Sequence, residues 1–305
     1  NSKKIILLSY LKRFFYLIRL LIQRNYAVIW IEKELFPWLP YFVESCIYKY
    51  LPIPVFVDYD DPIFNNYERH KNSFVRYLLE KKISSIMKHS DHVSVSSKYM
   101  YDYAHLSCAK NITVIPPSVD EKRFLKCKKK KNDRCVIGWI GSPSTTKYLS
   151  MIEDALNYIH KKYKVEFILI GAGSNYPRSI PFTVIDWDLC SEACLLVNFD
   201  IGLMPLFDDE WSKSKDHYKL VNYMASSTPY VASSVGGTDA VTKNNMNGFI
   251  ANNNLEWISY LSLLIEDQPK RVEMGQYGCT IFKDKYSTSV VSKSILNLIH
   301  KTSGL

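Results

Sequence analysis

The 305 residues are 47% hydrophobic and 23% charged with 11 Gly and 13 Pro, apolar enough for a sizeable core and too poor in glycine and proline for a fibrous or disordered chain. The formal net charge of +9 is unevenly placed: residues 1–131 hold 23 Lys+Arg against 12 Asp+Glu, and residues 132–305 hold 16 against 18. That asymmetry implies an anionic partner for the first half, and since no DNA- or RNA-binding motif accompanies it, nucleic acid gives way to a membrane surface.

In chain order, the first element is 5–22 (IILLSYLKRFFYLIRLLI), in which Lys12, Arg13 and Arg19 interrupt aliphatic and aromatic residues. It is too charged and short for a clean transmembrane helix, and reads either as a helix at a lipid interface or as one packed on its own domain. Asn1 opens the chain without Met and without the apolar strand and Gly-containing turn of a Rossmann lobe, which predicts an amino-terminal lobe that is truncated or reduced. Strands are predicted over 27–31, 54–58, 92–96 and 112–115, with helices over 39–49, 72–89 and 99–106 between them. The lysine-rich run 126–131 reads as a solvated linker. A second series follows: strands 135–140, 166–170, 183–185, 201–204 and 230–233, a helix over 148–162, and a terminal helix over 287–300. Alternation of this kind is the signature of βαβ units and parallel sheets. The predicted fold class is therefore α/β, with two Rossmann-like lobes over 1–125 and 132–285 and a closing helical segment 286–305. Ligands are expected outside the carboxyl ends of the strands, in the cleft between lobes.

The seven cysteines (46, 108, 127, 135, 190, 194, 279) are odd in number, scattered, and form no CxxC pair. They predict a reducing, cytoplasmic setting with no disulfide framework, with Cys190 and Cys194 one turn apart on a buried helix face.

Four ordered motifs carry the chemistry. In 138–147 (GWIGSPSTTK) a strand leaves through Gly141 and Ser142 into a helix start at Lys147, where small residues let backbone approach a ligand and the helix terminus favours an anion. In 168–174 (ILIGAGS) Gly171 follows a strand, but Asn175 and Tyr176 break the dinucleotide fingerprint. In 200–225 a buried strand ends at Pro205, and Lys215 and Lys219 flank a helix opening near His217 and Tyr218. Two lysines and a helix terminus make a diphosphate clamp, against the bland alternative of a solvated face with mutually repelling lysines. In 227–239 a strand ends in the double glycine Gly236-Gly237, and Asn247-Gly248-Phe249-Ile250 follows.

The run KxxxKLVNYMASSTPYVASSVGGTDAV…NGFI resembles the donor-binding signature of the group 1 (family 4) glycosyltransferases. GWIGSPSTTKYL, FDIGLMPL and DDEW resemble a bacterial subset linked to surface-polysaccharide assembly. The resemblance covers about 54–300 and implies a GT-B fold, a nucleoside diphosphate sugar as donor substrate, retention of configuration, and no metal or other cofactor. It implies that the first lobe faces the acceptor and the second binds the donor, that Lys147 contacts the donor diphosphate, that the helix start at His217, Tyr218 and Lys219 cradles the phosphates, and that Trp187 beside Asp186 stacks on the nucleobase. With the clamp lysine Lys215, the donor site is completed by Gly141, Ser142, Gly171 and Asn222, and Lys147 and Lys219 are the catalytic lysines that stabilise the leaving group. The sequence departs from the family at Ser214 and Asn222, where an E-x7-E pair is usual, at Ser142, where Arg is common, and at Ala240, with Asp239 one place before the expected glutamate.

In the first lobe, 56–62 (FVDYDDP) occupies the position of a family His-Asp pair, so Asp60 or Asp61 is expected to orient the sugar or acceptor. The Asp58/Asp60 spacing also admits a divalent cation, a chemistry of the other major transferase fold, and surface capping is the plain alternative. Glu32 and Glu34 are expected either on the acceptor side or on the surface. The expected function is transfer of a sugar to a glycan or polyprenyl-linked acceptor at the inner membrane face. A nucleotide-sugar epimerase of the same fold and a non-catalytic binding member are the alternatives.

Overall fold

The short β-branched runs become strands and the amphipathic stretches between them become helices. The protein was described from a computed structural model covering residues 2–23, 26–215 and 217–303. The chain divides into two compact units, Asn1–Ile115 with Lys293–Leu305, and Pro116–Ser292. Among the described residues ten strands form two sheets, and every strand pairing is parallel.

The first unit runs α1 (Ser2–Gln23), β1 (Ile29–Glu32), α2 (Tyr41–Tyr50), β2 (Val55–Tyr59), α3 (Asn65–Glu68), α4 (Ser73–Leu79), α5 (Lys82–His89), β3 (His92–Val95), α6 (Lys98–Leu106) and β4 (Ile112–Val114). Its four strands lie in sequence order. β2 and β3 are the most deeply buried, covered on both faces. Ile83, Ile86 and Met87 of α5 are wholly buried against them. Each such side chain contributes about 1.5–3 kcal/mol of hydrophobic stabilisation. The helix predicted over 72–89 is broken at Glu80–Lys81. The break places Lys82 at the first turn of α5, where it is buried and meets Glu34 at 2.6 Å and Glu44 at 3.1 Å. Tyr67 also donates its hydroxyl to Glu34 at 2.6 Å. Glu34 is therefore neither a surface residue nor a free acceptor-side carboxylate, because its charge is spent inside the unit. Burial raises the Glu44 carboxyl above the ordinary range despite the facing ammonium.

The second unit runs β5 (Cys135–Ile140), α7 (Glu153–Lys162), β6 (Val165–Ile170), β7 (Phe182–Ile185), α8 (Glu192–Leu196), β8 (Ile201–Met204), α9 (Glu210–Lys213), α10 (Tyr218–Ala225), β9 (Tyr230–Ser233), α11 (Thr238–Val241), β10 (Gly248–Ala251), α12 (Asn254–Glu266) and α13 (Gln268–Lys285), and the closing helix α14 (Thr288–Ser303) starts in it and belongs to the first unit from Lys293 onward. The strand order is β10-β9-β8-β5-β6-β7, the doubly wound arrangement, whose order reverses between β5 and β8. The Lys147 segment is a 3-10 turn over Thr146–Ile152 before α7 proper. β10 was not expected as a strand: Gly248–Ala251 is only four residues long and follows an Asn-Gly pair that reads as a turn.

Two cysteine expectations are overturned. Cys127 and Cys194 form a disulfide. The lysine-rich run is not simply solvated. It lies against the end of α8, where Lys129 pairs with Asp200 at 2.8 Å and the Lys130 amide donates to Asn198 at 2.9 Å, which brings the two sulfurs together. Cys190 is exposed in the turn before α8 and so shares no buried helix face with Cys194.

Candidate donor site

The reversal of strand order leaves a crevice beyond the carboxyl ends of β5 and β8, and two glycines, at the ends of β5 and β6, shape it. The Gly141 amide donates to Ile170 at 3.0 Å, and the Gly171 amide donates to Ile185 at 2.9 Å, so the ends of β5, β6 and β7 are tied at one level. Gly171 has φ +70, and a Cβ there would lie 2.4 Å from the Gly141 carbonyl oxygen. A Cβ on Gly141 would strike the Trp139 ring at 2.4 Å and the Lys219 Nζ at 2.9 Å. Only glycine lets the two turns approach this closely.

The resulting cavity, about 390 Å³, is lined by Ile140, Gly141, Ser142, Pro143, Gly171, Trp187, Leu189, Glu192, Tyr218, Lys219 and Asn222. Seven residues expected at a donor site thus line one space: Gly141, Ser142, Gly171, Trp187, Tyr218, Lys219 and Asn222. Lys147, Lys215 and His217 do not line it. Lys147 is exposed, its Nζ 5.6 Å from the Tyr148 ring. Lys215 rests its Nζ 4.1 Å from the Trp211 ring centre. His217, the residue before α10, is buried in a left-handed conformation with φ 61, and its Nε2 lies 3.2 Å from the Val235 carbonyl oxygen. Burial lowers its pKa. Its ring packs beneath Gly237 of the double-glycine turn, so it braces the loop.

Lys219 dominates the electrostatics. Its Nζ sits 4.5 Å from the Trp139 ring centre. Desolvation, and after it the neighbouring Lys215 charge, lower its pKa to about 7. An ammonium so placed, with a ring face rather than a carboxylate as its neighbour, is poised for an anion. Beside it Asn222, 1% exposed, keeps Oδ1 buried without a hydrogen-bond partner. The amino terminus of α10 adds the positive end of a helix dipole, while its Leu220 and Val221 amides donate to the His217 carbonyl. The opposite wall carries Trp187, about half exposed, whose indole N–H donates to Glu192 at 2.7 Å. Sequence reasoning missed Leu189 and Glu192; the only available signal for Glu192 was an acid at a helix start.

In the first unit, the carboxyl ends of β1 and β2 gather Glu32, Asp58, Asp60 and Asp61 around a residue that was not anticipated. Lys33, in left-handed conformation with φ 66, places Nζ 3.1 Å from Asp60 and 4.0 Å from both Asp61 and Glu32. The cation among these carboxylates is a lysine. Ser94 donates to Asp58, whose carboxyl is raised by burial. Among the described residues no group of three or more His, Cys, Asp and Glu is arranged to hold a metal ion, and no helix is long and apolar enough to cross a membrane.

Strand order and pocket together define an α/β protein with a ligand crevice at a topological switch point. No family model and no curated protein matches the sequence. Among solved structures, the chain is similar to HepE of Anabaena in complex with UDP (TM-score 0.72, 14% identity, 93% of this chain and 82% of that one). It is also similar to a glycosyltransferase from Rickettsia africae (0.70, 13%, 96% and 81%). A third match is sucrose-phosphate synthase from Thermosynechococcus elongatus (0.68, 12%, 92% and 74%). At such identities the likeness is one of fold, and that fold is GT-B: two Rossmann-like α/β units, here with four strands in the first and six in the second.

Proposed function

We propose that the protein is a glycosyltransferase that moves a sugar from a nucleoside diphosphate sugar to a hydroxyl of a glycan or lipid-linked acceptor with retention, in surface-polysaccharide synthesis. The observation that carries this reading is Lys219: a desolvated ammonium on the Trp139 face, beside the unpartnered Asn222 amide oxygen and across the pocket from Trp187. A diphosphate meets the ammonium and the α10 amides, a base stacks on the indole, and a ribose hydroxyl donates to Asn222. The structures of HepE in complex with UDP and with UDP-glucose are in keeping with such a donor.

As the glycosidic bond to phosphate breaks, negative charge grows on the leaving oxygen, and Lys219 and the helix-start amides stabilise it. A single well-placed donor of this kind lowers the barrier by about 3–4 kcal/mol. The departing phosphate takes the acceptor proton, so no side-chain base is needed and no metal is invoked. His217 braces the double-glycine turn outside the pocket lining, which disfavours an epimerase, since that reaction needs acid and base groups around the sugar.

The acceptor is read as membrane-borne and the protein as cytoplasmic and peripheral. Supporting this, α1 contains no acidic residue, buries Leu17 and Leu20 against Phe36, and exposes Leu8, Phe14, Phe15 and Ile22 beside Lys12. Such a surface suits an anionic lipid interface. Sedimentation with vesicles of phosphatidylglycerol but not of phosphatidylcholine is expected, and equal recovery with both overturns the membrane part. For the donor, a thermal-shift panel of UDP-, GDP-, ADP- and dTDP-sugars is decisive. One family should raise the midpoint, and no response from any, confirmed by calorimetry, overturns the function.

A further inference from the structure

The wall carrying Trp187 is held from outside the pocket. Glu192, whose Oε2 accepts the Trp187 indole N–H, is itself buried at 3% exposure. A buried carboxylate needs a charge partner, and the guanidinium of Arg123 lies 3.5 Å from that same oxygen. Arg123 also donates to the Leu189 carbonyl at 3.0 Å, so it touches the two wall residues that flank the turn into α8. It does not line the pocket.

Arg123 ends a 3-10 turn, Glu121–Arg123, whose start is capped by Asp120. Four residues later Cys127 is bonded to Cys194, two residues beyond Glu192 on α8. The segment is therefore a strap fastened covalently to the helix it braces, and Arg123 has no freedom to leave without dragging that attachment.

We propose that Arg123 is a positioning residue for the donor nucleobase, acting through Glu192 on Trp187. The inference rests on reading the pocket as a nucleoside diphosphate site. With Arg123 present, Glu192 holds its hydrogen bond to the indole, and the Trp187 ring offers one fixed plane for stacking. Without Arg123, the buried carboxylate carries an uncompensated charge, turns toward water and releases the indole. The base then stacks on a ring that must be ordered on binding, at a cost in affinity. The phosphate end of the site, at Lys219, is untouched.

The test measures binding of UDP, GDP and ADP, and of inorganic pyrophosphate, to four forms of the full chain. Arg123→Ala should weaken the nucleoside diphosphate that wild type binds best by roughly tenfold, with pyrophosphate affinity unchanged. Glu192→Gln keeps a neutral carbonyl that accepts from the indole, and it serves as the reference for the double variant. The double variant Arg123→Ala/Glu192→Gln should return to within about twofold of Glu192→Gln, since no buried charge is left to compensate. It also keeps the test valid if Arg123→Ala alone does not fold. In turnover, Arg123→Ala should raise donor KM and leave kcat in place. Unchanged nucleotide affinity in Arg123→Ala, a parallel loss of pyrophosphate binding, or a double variant that binds more weakly than Glu192→Gln overturns the role of Arg123 alone. A wild type that binds none of the three nucleotides overturns the reading of the pocket, and this inference with it.

Discussion

The Lys219 ammonium lies 4.5 Å from the centre of the Trp139 ring, directly under Gly141, where a methyl group would come within 2.9 Å of the nitrogen. Ring, glycine and lysine thus form one stacked unit: the indole desolvates and supports the charge, and the glycine leaves backbone thin enough for a ligand to reach it.

With its pKa near 7, Lys219 is partly neutral at neutral pH in the free protein. A bound diphosphate favours the ammonium and raises that pKa. Binding at pH 8 should therefore take up close to one proton, read from calorimetry in buffers of different ionisation enthalpy, and affinity should fall as pH rises above 7. The sign for folding is opposite. A lysine lowered on folding opposes the folded state below pH 7, and that penalty fades as pH climbs toward the ordinary lysine range. No proton uptake at pH 8 excludes the assignment of Lys219 to the phosphates. Lys219→Ala should lower turnover on the order of a hundredfold with the melting temperature retained.

Gly171→Ala should be costly although it adds one methyl group. The residue sits at φ +70, and the methyl would stand 2.4 Å from the Gly141 carbonyl oxygen. Loss of roughly 1–3 kcal/mol in urea unfolding is expected, with weakened nucleotide binding because both turns shift. An alanine variant of wild-type stability and affinity contradicts the tied-turn picture.

Removing the buried cation of the first unit leaves two carboxylates facing each other in the core. Lys82→Met should cost about 3–5 kcal/mol, and adding Glu44→Gln should recover part of it. A Lys82→Met protein with an unchanged denaturation midpoint would show that the ion cluster contributes nothing.

Much of this was legible in the sequence, for a physical reason. Strands such as Cys135–Ile140, Ile201–Met204 and Tyr230–Ser233 are near-continuous apolar runs, as parallel strands buried on both faces must be, and their bounds follow from local composition alone. The glycines of the donor motifs and Lys219 are local signals as well, and seven expected residues line one pocket, whereas Lys147 and Lys215 stand outside it. What escaped notice depends on distant partners. Lys82 looks like any member of a Glu-Lys-Lys surface run until Glu34 and Glu44 arrive from another part of the chain. Lys33 reads as a solvated charge until β2 brings Asp60 beside it. Cys127 and Cys194 are separated by 67 residues, and no spacing rule links them.

The disulfide should be measurable in stability. For a loop of that length the chain-entropy model gives about 4 kcal/mol from restriction of the unfolded chain. Cys127→Ser should lower the unfolding midpoint under non-reducing conditions and remove the difference that a reductant makes to wild type. A wild-type midpoint insensitive to reductant, with both thiols found free by mass spectrometry, contradicts the bond.

The bond between Cys127 and Cys194 also turns part of the protein into a closed ring. Between the two sulfurs the chain lays down β5, β6 and β7, with both glycine turns and Trp187. A protease cut anywhere in that stretch opens the ring without dividing the molecule. The two pieces stay covalently joined at α8, and the crevice between Gly141, Gly171 and Trp187 can lose a peptide bond without losing a wall.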